Sequence, residues 1–440
     1  LKSVPKRNLL SANHTFLLIM KTQLLLLVVA ALPVVALNIP YGNARSDGAL
    51  SAAGNLEINL DGAAARAWDA VPAAEGSGVY DANQWAVVFK YSSVDIAAGA
   101  TVTFKNHASR APVVWLVDGD VTINGTLNLS GAVHDTDSGT FRLSEPGPGG
   151  FRGSDSYVTA ADTGGSGLGP GGSVSWIHNG DWAFQFPSYA TVGSIYRSDL
   201  VSSTYGSSRI VPLIGGSGGS GFRAGQQNAG GGAGGGAILI AATGRITING
   251  TVRANGGGGA VPGSGGAIRL IAEAVSGLGR LEAVGGSSAM FSANSGVGRI
   301  RIETPNYSAA FAAVMPVTEA VSPDSPVQLW PAANAPKARI VSVSGLASPA
   351  EPRASLGAPD ARKADIRVPG GGSGEIIVET DNLPQTATVV VRVSPRSGQA
   401  FELAPAAFLS ETATPGRLRW RTQTTLPLGY CAFQVRATAQ

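Results

Sequence analysis

Apolar and polar residues alternate strictly along short runs of this chain, and glycine clusters separate the runs. Gly234-Gly235-Gly236-Ala237-Ile238-Leu239-Ile240 is answered about thirty residues later by Ser264-Gly265-Gly266-Ala267-Ile268-Arg269-Leu270, and again by Gly296-Val297-Gly298-Arg299-Ile300-Arg301-Ile302. Between these copies lie Gly244-Arg245-Ile246-Thr247-Ile248-Asn249-Gly250-Thr251-Val252 and a weaker echo, Gly279-Arg280-Leu281-Glu282-Ala283. A side-chain period of two marks strands with one face inward. A near-fixed repeat built from two such strands marks a stacked architecture.

The pattern extends towards the N-terminus. Trp85-Ala86-Val87-Val88-Phe89-Lys90-Tyr91, Val102-Thr103-Phe104 and Val113-Val114-Trp115-Leu116-Val117 all read as strands. The clearest alternation is Val121-Thr122-Ile123-Asn124-Gly125-Thr126-Leu127-Asn128-Leu129, with Val121, Ile123, Leu127 and Leu129 sharing one face. Its Thr-Ile-Asn-Gly-Thr core recurs at 247–251, which predicts that both segments hold the same position in successive coils. Two-residue hairpin turns are missing between most of these runs, which argues against a sandwich built of hairpins. The pattern predicts a right-handed parallel β-helix over residues 85–315, its glycines turning the corners between sheets. Residues 37–84 read as an N-terminal cap over the open end.

Two stretches break the repeat. An insertion at about 132–213 is rich in aromatics, including Phe151, Trp176, Trp182, Phe184, Phe186, Tyr189 and Tyr205; long interruptions of this kind often carry function. Residues 307–314 read as a short closing helix or a last irregular coil. Residues 316–336 hold five prolines and read as a linker. The tail, 337–440, has strand candidates at 339–343, 364–368, 375–379, 387–393, 417–425 and 430–437, which predicts a small immunoglobulin-like β-sandwich. The expected fold class is thus all-β, a β-helix followed by a sandwich.

Composition changes this picture at one point. Charged residues are 14% of the 440, and glycine contributes 60 residues without a Gly-X-Y period, which excludes collagen. Residues 1–36 read as a leader with a secretory signal peptide: Met20 as the start, an apolar run over 24–35, then Val34-Val35-Ala36. That leader holds Lys2, Lys6, Arg7 and Lys21 and no acid. Without it, 32 basic residues become 28 against 29 acidic ones, and the formal charge moves from +3 to −1. The basic isoelectric point therefore gives no ground for nucleic-acid binding. The apolar run is too short to span a bilayer, and no second one follows. Cys431 is the single cysteine, so no intrachain disulfide is expected, and a free cysteine is usually buried in the fold.

Candidate chemistry is sparse. No glycine run continues into Lys-Ser or Lys-Thr or opens a helix, so a phosphate loop is excluded. The histidines lack zinc-ligand spacing with the lone cysteine, and no metal or cofactor is expected. The Asn-Gly-Thr sequons at Asn124 and Asn249 are repeated outward positions of a coil. Asp118, Asp120, Asp135 and Asp137 lie close in sequence, with Asp181 further on. A pair of them converging on one face would suit glycoside hydrolysis or lysis. Asp118 and Asp120 flank Gly119, however, and Asp135 and Asp137 sit in a polar Ser/Gly loop, so turn chemistry or weak calcium coordination is favoured over catalysis. The segment Trp176-Ile177-His178-Asn179-Gly180-Asp181-Trp182 is the better candidate for binding. Trp176 and Trp182 offer faces for sugar rings, and His178, Asn179 and Asp181 offer hydrogen bonds. The same aromatics also suit a mini-core that holds the insertion in place.

Through residues 120–130, 234–242, 245–257 and 265–273 the chain resembles secreted bacterial glycine-rich parallel β-helix proteins, such as autotransporter passengers and filamentous haemagglutinin-type adhesins. It is similar above all to exported proteins that join such a helix to a C-terminal immunoglobulin-like sandwich. The resemblance implies a surface or extracellular role. The aromatic insertion makes a polysaccharide or cell-surface glycan the expected partner. The resemblance carries no catalytic residue, since the shared motifs are structural. It departs from autotransporters in that these residues hold no translocation barrel. The expected function is a non-catalytic structural or adhesive protein. A β-helix polysaccharide lyase or hydrolase and a ligand-free envelope scaffold are the alternatives.

Overall fold

The computed structural model describes residues 37–134, 144–154, 165–178, 181–196, 203–224, 227–288, 293–352, 364–369, 372–396 and 399–439. Among them the secondary structure is all β, apart from a single 3-10 turn at Leu60–Gly62. The leader lies outside the described residues, as do Asp135, Asp137 and Asn179.

Alternation becomes geometry in two sheets whose ladders are parallel, apart from Val79–Asp81 against Ala86–Tyr91 in the first. In the first, Val87, Val113, Ile238, Ile268 and Ile300 sit opposite one another on successive strands. Phe89, Trp115, Ile240, Leu270 and Ile302 form a second column two residues on. The second sheet aligns Leu56, Val102, Leu127, Val252, Leu281 and Val314. Strands in parallel register lie about 4.8 Å apart, so like side chains stack on like. Nearly all of these residues are buried in a single apolar core. The two Thr-Ile-Asn-Gly-Thr copies are direct neighbours: Thr122 faces Thr247, Thr126 faces Thr251, and Asn249 Nδ2 donates to Asn124 Oδ1 at 2.9 Å across 125 positions. The repeat predicted this adjacency.

The ladders start earlier than the sequence pattern suggests and run just past its end, where Ala320–Val321 pairs in parallel with Ile302–Glu303. Ala49–Ala52 and Leu56–Asn59, within the expected cap, already pair in parallel with Ser93–Ile96 and Thr101–Lys105. Asn306–Tyr307 and Ala313–Met315 continue the stack as strands, so no closing helix forms there. The proline-rich segment lies against the outward face of the first sheet, where Val327 and Leu329 are buried beside Leu239 and Ala241. Its Trp330 meets Trp68 at 5.6 Å between ring centroids.

The glycine clusters do something else than expected. Among the described residues no glycine between 207 and 276 has a positive φ, so these clusters do not make left-handed corners. Their amides follow a period of three. Gly231 and Gly234 donate to Ser154 and Phe151, Gly232 and Gly235 to Val261 and Ser264, Ala233 and Gly236 to Ala132 and Leu129. Each third residue thus returns to the same neighbouring segment, as in a polyproline II-type helix of three residues per turn. Residues 216–221 behave alike. Gly216 and Gly219 donate to Gly235 and Gly232, and Gly218 and Gly221 to Leu168 and Gly165. The remaining amides, of Ser217 and Ser220, donate to the hydroxyls of Ser264 and Ser173 at 2.7 and 2.9 Å. The result is a bundle of hydrogen-bonded extended helices beside the two sheets. Glycine is required by proximity: a Cβ on Gly231, Gly234, Gly235 or Gly263 would come inside 3.0 Å of a neighbouring backbone.

The tail forms two antiparallel sheets around a common core. Leu346–Ala347, Lys337–Val343, Gly372–Asp381, Arg417–Leu426 and Ala407–Glu411 make the larger, and Phe401–Glu402, Thr388–Pro395 and Cys431–Thr438 the smaller. Ile376, Val378, Leu418 and Trp420 of the first meet Val389 and Val391 of the second. The smaller sheet leans on the glycine bundle. Ala432 packs with Phe151 and Leu168, and Arg392 Nη2 donates to the Gly172 carbonyl at 2.8 Å.

Candidate functional site

Asp118 and Asp120 sit where Val113–Val117 turns into Val121–Ile123. Asp118 Oδ2 accepts from Arg45 Nε at 2.7 Å, and its Oδ1 accepts from the Thr243 hydroxyl. Asp120 Oδ1 accepts the Arg245 backbone N–H at 2.7 Å. Asp118 therefore ties its turn to Arg45 and to Thr243, and Asp120 ties the same turn to Arg245, so these contacts are long-range and not the local turn bonds expected beside a glycine. Asp135 and Asp137 lie outside the described residues, so the proposed acid–base grouping has only these two members on view beside Asp181.

The insertion does bring its binding candidates together along the backbone. Val174–His178 pairs antiparallel with Asp181–Gln185, so that His178 lies opposite Asp181, Ile177 opposite Trp182, and Trp176 opposite Ala183. Asn179, at the connection, lies outside the described residues. A third strand, Ile195–Tyr196, pairs with the far side of Asp181–Gln185.

The aromatics that follow are spent on anchoring. Phe184 and Phe186 are fully buried with Ala260 and Val261 of a glycine-bundle segment. Tyr189 stacks on Tyr205 with ring centroids 4.5 Å apart, and the Arg299 guanidinium lies 5.4 Å over Tyr189. The two phenols donate to the carbonyls of Ile214 and Gly215 at 2.8 Å. Burial raises the pKa of both well above the ordinary tyrosine value, so they stay neutral donors.

Sequence reading misses several charged residues that the fold buries. Because the outward face of the first sheet is covered, Arg269 and Glu303 end up almost wholly enclosed, joined at 2.7 Å, with Arg301 on the same carboxylate oxygen at 2.8 Å. Lys90 and Asp47 are enclosed likewise. Asp47 accepts the backbone N–H groups of Gly78 and Lys90, and Lys90 Nζ donates to the Ala70 carbonyl at 2.7 Å. Burial raises the Asp47 pKa and lowers that of Lys90. Period-two alternation assigns such outward positions to solvent, so nothing in the sequence flags them.

Among the described residues no three His, Cys, Asp or Glu side chains lie close enough to hold a metal ion. No helix there is long and apolar enough to cross a membrane. A cavity of about 1030 Å3 opens in the tail between Ile340, Ile366 and Val368 on one side and Phe433 and Val435 on the other. The chain matches no protein-family model, no curated protein and no solved structure.

Proposed function

We propose that this chain is an exported, non-catalytic structural or adhesive protein. In this reading the two parallel sheets are walls of a right-handed β-helix, the glycine bundle stiffens its third side, and the tail is an immunoglobulin-like sandwich. One observation supports it: among the described residues, candidate side chains such as Asp118, Asp120 and the buried insertion aromatics hold neighbouring segments together. Asp118 and Asp120 bind neighbouring coils, and Phe184, Phe186, Tyr189 and Tyr205 fix the insertion to the bundle. The hairpin bearing Trp176, His178, Asp181 and Trp182 is the place where a neutral glycan would dock.

The test uses the chain from residue 37 onwards against a panel of labelled polysaccharides, recording retention and polymer length together. The expected outcome is retention with unchanged length, weakened by W176A and W182A. Shortened polymers would overturn the non-catalytic reading and direct mutagenesis to Asp118, Asp120, Asp135, Asp137 and Asp181. Neither retention nor shortening would leave a scaffold without a ligand.

A further inference from the structure

The alternation of Arg417–Leu426 places Leu418, Trp420 and Thr422 inside the tail's core, and Arg417, Arg419 and Arg421 on the opposite face. Two residues of strand separate successive arginines, about 6.7 Å. Lys337 and Arg339 join them from Lys337–Val343, and Glu375, Glu379 and Asp381 from the strand between. Five cations thus share one sheet face with three carboxylates.

The carboxylates orient the cations without silencing them. Glu379, itself 5% exposed, accepts from Arg419 Nε at 2.9 Å and Arg339 Nη2 at 2.6 Å. Asp381 takes Arg417 Nε at 2.6 Å. Arg421 is held only loosely, 3.8 Å from Glu375. The side chains of Arg339, Arg419 and Arg421 remain 54, 49 and 50% exposed, so each fork keeps N–H groups turned to solvent. The smaller sheet is the one that docks on the glycine bundle, and this face belongs to the other.

Charge is also unevenly shared along the chain. Residues 337–440 hold 12 Lys and Arg against 8 Asp and Glu, a formal +4, whereas residues 37–336 hold 16 against 21, a formal −5. Guanidinium forks match carboxylates in pairs. Single-stranded nucleic acid instead calls for aromatic platforms among the cations, and the outward positions of these three strands hold none.

We infer that this arginine-lined sheet face docks a linear acidic polysaccharide, whose regularly spaced carboxylates bridge Arg339, Arg419 and Arg421. The inference rests on the adhesive reading and names a second contact surface for it. The probes are polygalacturonate, neutral dextran and single-stranded DNA, each titrated against the chain from residue 37 onwards at low and high salt. Polygalacturonate is expected to bind, to weaken as salt rises, and to lose roughly tenfold or more in affinity in R419Q/R421Q. Dextran retention is expected to stay the same in that variant. If the double variant does not fold, R421Q alone decides, because Arg421 makes no close contact. No polygalacturonate binding at low salt, equal affinity in the variant, or tighter binding of DNA would each overturn the inference. Neutral glycans retained with polygalacturonate ignored would sink this face and leave the adhesive reading intact.

Discussion

A single hydrogen atom in place of a side chain decides much of this molecule. Gly234 lies against the Gly216 carbonyl so closely that a methyl group there would displace backbone on both segments. Gly54, by contrast, faces open space. Gly234→Ala should therefore cost about 3 kcal/mol, as overpacking does, while Gly54→Ala stays within about 0.5 kcal/mol of the parent. Urea unfolding of the two variants checks this, and equal losses would contradict the close-packed bundle. Cys431 gives a second residue-level expectation. Burial pushes its thiol up to about 11, which leaves little thiolate at neutral pH. Alkylation at pH 8 should run roughly a hundredfold slower than in the urea-unfolded chain. Cys431 is half-buried, and equal rates would contradict the protection expected of it.

At the level of elements, the covered face of the first parallel sheet makes its charges matter. Glu303 compensates both Arg269 and Arg301, and removing one member of a buried pair costs about 3–5 kcal/mol. Glu303→Gln should show that loss, and Arg269→Met with Glu303→Met should recover much of it; equal losses would contradict a buried pair. The larger antiparallel sheet adds a pH dependence. Burial works to raise the Glu379 pKa, but hydrogen bonds and charge from Arg339 and Arg419 outweigh it, and the net value falls below the ordinary 4.5. A carboxylate depressed in the folded state stabilises above its unfolded pKa and loses that contribution as pH drops through the folded value. Thermal midpoints should thus fall below pH 4.5, and E379Q should flatten that slope; an unchanged slope would remove Glu379 from the account.

Much at this level was legible in the sequence. The Thr-Ile-Asn-Gly-Thr copies foretold neighbouring strands because register in a parallel stack repeats the inward residue. Five of the six strand candidates in the tail match observed strands, since Ile376, Val389, Leu418 and their neighbours alternate cleanly. Residues 364–368 form no strand, and Ala407–Glu411, a short edge strand, lacks an alternation strong enough to read. Arg269 and Glu303 escaped notice because burial there comes from distant segments. The hairpin of Trp176 and Trp182 was visible as an aromatic cluster, whereas the fixing of Phe184 and Phe186 against Val261 depended on the bundle.

The whole molecule turns on what the glycine clusters are. As corners they would be accessories to a solenoid. As hydrogen-bonded three-fold helices they are a second core without side chains, joining the parallel sheets to the long insertion and supporting the tail through Phe151, Leu168 and Gly172. This also explains how residues 129–236 can leave the stack and return without disturbing the register between Thr122 and Thr247. A bundle of this kind holds its backbone amides away from water, which loops do not. Amide hydrogen exchange read residue by residue tests the point most directly. The amides of Gly231, Gly232, Gly234, Gly235 and Gly236 should exchange as slowly as those of Ala237–Ile248. Exchange at the rate of an unstructured chain, with Ala237–Ile248 still protected, would contradict the bundle and return these glycines to the surface.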